Sequence, residues 1–394
     1  MILFVRNFIE KVQKHETFYD TIWLGYFIIE LFGLSPVHLW GSNKTPTSKK
    51  IPYALMATLV IEIGVLYLNI HLDIDSTKTE SFILRNGLRW IMIIGSILII
   101  IITVKNAALT KKSAELLVAI HEFDITLKNA GHQIDLKTQC RWFIFMTLFS
   151  TVFFASFLVL SGVLMFFAMK ITSFTGQHMF YFYALQYRFK AMNHYICELL
   201  PTESELVTKF RRFHLTKNRY VLTKRIQQLA DIHHCLIQIV NRYNKNYGLQ
   251  LFLTHIGTSN ITILSWFSLY RLLLSPDMDS LFIWTTNFCW SSYYIVYQLF
   301  ITILGSLVSL EGKRMGVLVH KALELVVDEY IREKLLLFSN QLYQRNPVIT
   351  SGMIDFNATL IFSTIGAITT YAAILIQFDF TNMKTCMKLI SEMT

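Results

Sequence analysis

The stretch Met353-Ile-Asp-Phe-Asn-Ala-Thr-Leu-Ile-Phe-Ser-Thr-Ile-Gly-Ala-Ile-Thr-Thr-Tyr-Ala-Ala-Ile-Leu-Ile-Gln-Phe378 decides the fold class. It carries one charge, at Asp355, and apolar residues run through it without strict alternation. A bilayer-spanning helix needs roughly 20 mostly apolar residues. This stretch meets that length, and a barrel strand would alternate instead. Working outward, six more segments qualify or come close: 51–71, 82–104, 142–166, 171–187, 249–270 and 282–310. The fourth of the seven, 171–187, is the weakest, being short and carrying Gln177, His178 and Gln186. The predicted class is an all-α membrane protein with seven transmembrane helices.

The composition agrees. Of 394 residues, 53% are apolar and 16% charged. A soluble domain runs about 45–50% apolar and about 25% charged. A water-soluble enzyme and a disordered chain are both disfavoured. The net charge of +10 need not mean nucleic acid, because basic residues collect in loops on the cytoplasmic side. Their positions decide. Segments 1–50, 105–141, 188–248 and 311–352 hold 29 of the 36 Lys and Arg, and the alternate loops and tail hold only five. The N-terminus is therefore expected in the cytoplasm and the tail 379–394 outside. That is the opposite of the G-protein-coupled receptor orientation. An eighth apolar stretch, Phe18–Trp40, is broken by Asp20, Glu30, Gly33 and Pro36. It reads as a kinked helix at the inner membrane surface.

The long inner loops look helical. Leu222, Ile226, Leu229, His233, Leu236 and Val240 recur at three- and four-residue steps, as do Leu323, Val327, Ile331, Leu335, Phe338 and Leu342. Either the spans extend into the cytoplasm and pack on one another there, or these extensions (188–248 and 311–352) join subunits as an anchor domain. The outer loops are about four to eleven residues long, so any ligand must be small and enter between helices.

The end of the last span carries a resemblance. Thr370-Tyr371, five apolar residues, then Gln377-Phe378 resembles the signature closing the seventh span of insect gustatory receptors. Gly33-Leu34-Ser35-Pro36 is similar to that family's Gly-Leu-x-Pro element. Gly352-Met353-Ile354 departs from its usual Gly-Leu-Phe. The resemblance implies a ligand-gated cation channel of four subunits, a homotetramer or a heteromer with related receptors. Four last spans would surround one pore in the plasma membrane of a sensory neuron, and a small tastant would bind in each subunit's outer half.

For the pore, Tyr371, Ile374, Gln377 and Phe378 come at helical spacing. A ring of Phe378 would block ions by expelling water, and Gln377 would offer amide groups to a dehydrating ion. Asp379 at the outer mouth would concentrate cations. For the pocket, the sixth span offers Asn287, Trp290, Tyr293, Tyr294, Tyr297 and Gln298, the fifth Trp266 and Tyr270, and the fourth Gln177, His178 and Tyr181. Aromatic walls with a few placed polar groups suit a small ligand. Trp and Tyr also gather at membrane interfaces without binding anything. Glu62 in the first span and Asp355 in the last are costly charges expected to be paired. No cofactor, catalytic set or nucleic-acid partner is expected. No metal site is expected either: His194 with Cys197, and His233-His234-Cys235, lack a second pair at ligand spacing. A metabotropic seven-helix receptor, an odorant-receptor-type channel subunit and a membrane enzyme or transporter are the competing readings.

Overall fold

The structure, a computed structural model, describes residues 17–31, 37–38, 47–48, 53–71, 82–161, 164–200, 219–274 and 280–393. In chain order the helices are α1 (Phe18–Leu31), α2 (Tyr53–His71), α3 (Phe82–Ala108), α4 (Thr110–Asn129), α5 (Leu136–Ser161), α6 (Leu164–Leu199), α7 (Arg219–Leu274), α8 (Ser280–Leu325), α9 (Glu329–Gln344) and α10 (Ala358–Met393). Among the described residues, the β structure consists of a two-residue antiparallel ladder, β1 (Val37–His38) on β2 (Thr47–Ser48), and an isolated bridge between Thr350 and Asp355. The Gly33–Pro36 element lies outside the described residues.

Helix lengths explain the architecture. At 1.5 Å per residue, the 56 residues of α7 reach about 84 Å and the 46 of α8 about 69 Å. The apolar layer of a bilayer is about 30 Å thick, so both helices must run well beyond it. Their Lys- and Arg-bearing ends meet α9 in a bundle. Helix α9 starts at Asp328, whose Oδ1 accepts from the backbone N–H of Tyr330 and Ile331, a standard N-cap. Its stripe Ile331, Leu335, Phe338 and Leu342 is buried in the same core as Leu222, Ile226, Leu229, Leu236 and Val240 of α7. Both stripes therefore find partners inside one chain. Val327, expected on the second stripe, is 81% exposed. The helix breaks at 326–328, and Val326 turns inward in its place.

Helix α1 is buried through Phe18, Ile22 and Tyr26 against α5 and α6. Thr17 and Asp20 close its start: the Thr17 N–H and hydroxyl both donate to Asp20 Oδ2. Helices α3 and α4 meet at Leu109 with a bend of 65°. Among the described residues, Ser291–Leu325 and Ala358–Thr381 are long and apolar enough to cross a membrane, and the bent pair Ile93–Ala108 with Thr110–Asn129 is a third such segment if it counts as one span. Glu62 is fully buried, where it accepts from the Thr103 hydroxyl at 3.1 Å. Asp355 is not a charge within the last span. It is exposed in the turn before α10, which begins three residues later.

Candidate functional site: the last helix, its turn and an apolar cleft

The turn 345–357 that leads into α10 is held by both long helices. Asn244 of α7 donates to the Val348 carbonyl at 2.8 Å and accepts from the Thr350 N–H at 3.2 Å. Ser309 of α8 donates to the Pro347 carbonyl at 2.8 Å. The turn approaches α8 so closely that a Cβ on Gly312 would sit 2.1 Å from Pro347 Cγ, and one on Gly305 would sit 2.8 Å from the Phe356 carbonyl oxygen. Glycine at these two positions is what lets the chain pass. Within the turn, Gly352 has φ +85, a left-handed conformation that favours glycine.

From this turn α10 runs 36 residues, packed on α7 and α8. Its apolar surface is mostly uncovered. Phe362 is 76% exposed, Tyr371 57% and Phe378 62%, while Ile368 is buried. Ile374 and Gln377 are exposed as well. A single chain thus leaves much of this apolar helix uncovered, and such a surface marks contact with lipid or with other protein.

The predicted pore residues divide by face. At 100° per residue, Tyr371, Ile374 and Phe378 share one stripe, and Gln377 sits about 100° away from Phe378. Asp379 does not stand free at an outer mouth. It is 5% exposed, and Arg271 of α7 donates to its Oδ2 at 3.0 Å. The neighbouring guanidinium neutralises the carboxylate, so a ring of these groups would present little free negative charge.

Beside α10 lies a cleft of about 680 Å³, walled by α3, α7 and α10. Leu98, Ile102, Leu264, Ile368 and Leu375 make it greasy, and His255, Ser259, Asn260 and Thr364 add polar groups. His255 Nε2 lies 3.1 Å from the Thr364 hydroxyl, which links α7 to α10. Tyr371 and Ile374, read from sequence as pore residues, form part of this wall. The remaining wall residues were not singled out from sequence. The signal available was the polar run Thr254-His255, then Thr258-Ser259-Asn260, inside an apolar span.

The residues predicted as a pocket go elsewhere. His178 and Tyr181 are wholly buried in a tyrosine cluster with Tyr26, Tyr243 and Tyr247. His178 Nδ1 is 2.6 Å from the Tyr243 hydroxyl, the Tyr181 and Tyr26 hydroxyls pair, and Tyr247 pairs with Ser113. Gln177 hydrogen-bonds Tyr26 at the edge of the same cluster. Gln298 donates to the Thr258 and Ser259 hydroxyls at 2.6 and 2.9 Å, cross-linking α8 and α7. Tyr297 bonds Thr175, and the Tyr293 ring packs against Tyr294 and Tyr297. Tyr270 packs on Phe267, and Trp266 is half exposed. The side chains of Asn287 and Trp290 lie outside the described residues. None of the described members of the set is among the lining of that cleft. Most of them seal the packing of α6, α7 and α8.

These features describe a largely helical chain with apolar helices of bilayer length, the last of which leaves much of its surface uncovered. The chain belongs to the 7tm chemosensory receptor family, whose profile it matches over residues 24–382. It is 30% identical over 163 residues to gustatory receptor 28a of Drosophila melanogaster and 28% identical over 184 residues to gustatory receptor 28b of the same fly. Those matches cover 40% and 43% of this chain, and 36% and 39% of the relatives' own lengths. Among solved structures, the insect olfactory receptor OR5 from Machilis hrabei superposes with a TM-score of 0.64 at 11% identity, covering 95% of this chain and 99% of that one. The same receptor in complex with eugenol gives 0.63 at 12% identity over 91% and 100%. At that identity the likeness concerns the fold alone.

Proposed function

We propose that this chemosensory receptor is a cation channel of four copies, opened by a small tastant, with α10 of each copy around the central pore. The observation that carries this reading is the uncovered apolar surface of α10, from Phe362 through Tyr371 to Phe378. A fourfold arrangement gives that surface a partner. It also places Phe378 where an oily ring can stop ions by dewetting. The N-terminus lies in the cytoplasm, as the distribution of basic residues supports. The bundle of α7, α8 and α9 then faces the cell interior, where exposed Leu336 and Leu337 offer apolar contact between copies. The site of action is the plasma membrane of a sensory cell.

The cleft of α3, α7 and α10 is the ligand site we favour. It is mostly apolar, has His255 and Thr364 as fixed polar groups, and touches α10 directly. A ligand opens the pore only in so far as it binds the open arrangement more tightly. A complete switch needs about 5.5 kcal/mol of such preference.

Patch recording tests the pore. Phe378→Ala is expected to conduct without agonist. Unchanged basal current at normal surface expression would overturn the gate assignment. Agonist current in cells lacking functional G proteins separates this reading from a metabotropic receptor. His255→Ala is expected to shift the agonist dose–response. If it leaves the dose–response in place, the cleft is not the site.

A further inference from the structure

His132, His194 and Glu198 stand outside everything described so far. His132 follows the turn between α4 and α5, and the other two lie on the last turns of α6. His132 Nδ1 is 3.2 Å from one Glu198 oxygen, and His194 Nδ1 is 3.2 Å from the other. The donor atoms of all three residues lie within 4.8 Å of one another. Two imidazoles and a carboxylate are a donor set of the kind that zinc takes, with water as a fourth ligand. Zinc–ligand bonds of about 2.0–2.2 Å put tetrahedral donor atoms roughly 3.3–3.6 Å apart. The observed nitrogen–oxygen separations need little adjustment to meet that.

The backbone holds the first ligand ready. Helix α4 ends with the Gly131 N–H on the Lys128 carbonyl and the His132 N–H on the Leu127 carbonyl. Gly131 has φ +97, so this is a glycine-closed helix end that fixes the direction of His132. The His132 ring packs against the His194 and Tyr195 rings, with centroids 5.2 and 5.9 Å away. The other two ligands are four residues apart on α6, so they share a face. His194 and Glu198 are more than half exposed, which leaves a path for an ion. Arg225 of α7 lies near the same cluster, close enough to act on Tyr195. Cys197, three residues after His194, is not part of the set.

We propose that His132, His194 and Glu198 bind a zinc-class divalent cation, which staples the α4–α5 turn to the C-terminal end of α6. The proposal does not depend on the channel reading. To bind, each imidazole offers a lone pair at Nδ1 and keeps its proton on Nε2.

The test uses full-length protein freed of any histidine tag. Zinc chloride is titrated against a fluorescent zinc chelator, with magnesium and calcium as controls. One zinc per chain is expected, and neither control ion should compete. His132→Ala, His194→Ala and Glu198→Gln should each weaken binding on the order of tenfold or more, since changes even to supporting groups cost that much. Lys190→Ala, on the same helix, should change nothing. Glu198→Gln keeps the hydrogen-bonding shape, so it guards against misfolding. In EDTA all variants should melt with the parent, and zinc should raise the melting temperature of the parent and of Lys190→Ala only. Cobalt should give the parent, but not the variants, a four-coordinate visible spectrum. No saturable zinc binding, or binding undiminished in the His132→Ala, His194→Ala double variant, overturns the proposal.

Discussion

The α9 bundle and α10 are neighbours in sequence and opposites in packing. The 16-residue helix α9 hides Ile331, Leu335, Phe338 and Leu342 within its own chain. The 36-residue helix α10 is at least as apolar, yet among its described side chains only Ile368 and Asp379 are buried. Amphipathicity explains the first: a helix with one apolar stripe and one polar face buries the stripe and leaves the polar face to water. A bilayer explains the second, because lipid tails solvate apolar side chains and remove the pressure to bury them. The bundle thus buries its stripes within one chain, and the last helix leaves much of its surface to its surroundings. The turn 345–357, clamped by Asn244 and Ser309, ties one to the other.

Truncation gives the sharpest break of this comparison. Phe338→Ala opens a cavity in the bundle and is expected to cost about 3–5 kcal/mol. Phe362→Ala, on an uncovered face of α10, should change the stability of the chain by less than about 0.5 kcal/mol. Thermal unfolding of detergent-solubilised variants measures both. Equal losses would mean that α10 is buried as α9 is.

Acid should weaken the bundle. His233 is buried beside Phe338 and Gln341. Burial, helped by Arg345 and His234, lowers its pKa to about 4 from the ordinary 6.5. The folded state thus resists a proton that the unfolded chain accepts. This contribution is complete above pH 6.5 and is lost as pH falls toward 4. The loss is on the order of 1–3 kcal/mol. Melting temperatures at pH 7.5 and 5 should differ less in His233→Gln than in the parent. An unchanged difference would sink the assignment.

The smallest effect concerns the far end of α10. Arg271 and Asp379 are both largely shielded, so a double-mutant cycle of Arg271→Ala and Asp379→Ala should return a coupling of about 1 kcal/mol. A coupling near zero would leave this end of α10 held by packing alone.

Much of the plan was legible before any coordinate. Long apolar runs, the skewed basic residues and the two stripes of the inner loops are local patterns, and each predicts an element from its own residues. The site was less legible. Tyr181, Tyr297 and Gln298 are the residue types of a ligand wall, but the same types seal a helical core when their hydroxyls and amides find one another. Asp379 reads as a free charge until Arg271, 108 residues away, is seen beside it. His132 and His194 share no spacing motif, and only the glycine turn after α4 brings them together.

By itself, then, the sequence determined a basic, apolar, many-helix membrane chain. Those properties follow from transfer free energies summed over neighbouring residues. Tertiary structure alone decided which polar groups satisfy each other, which apolar faces stay bare and which helices enclose the cleft. Such contacts join residues far apart in the chain, and whether a side chain binds a ligand or a neighbour depends on what the fold brings within about 3 Å of it.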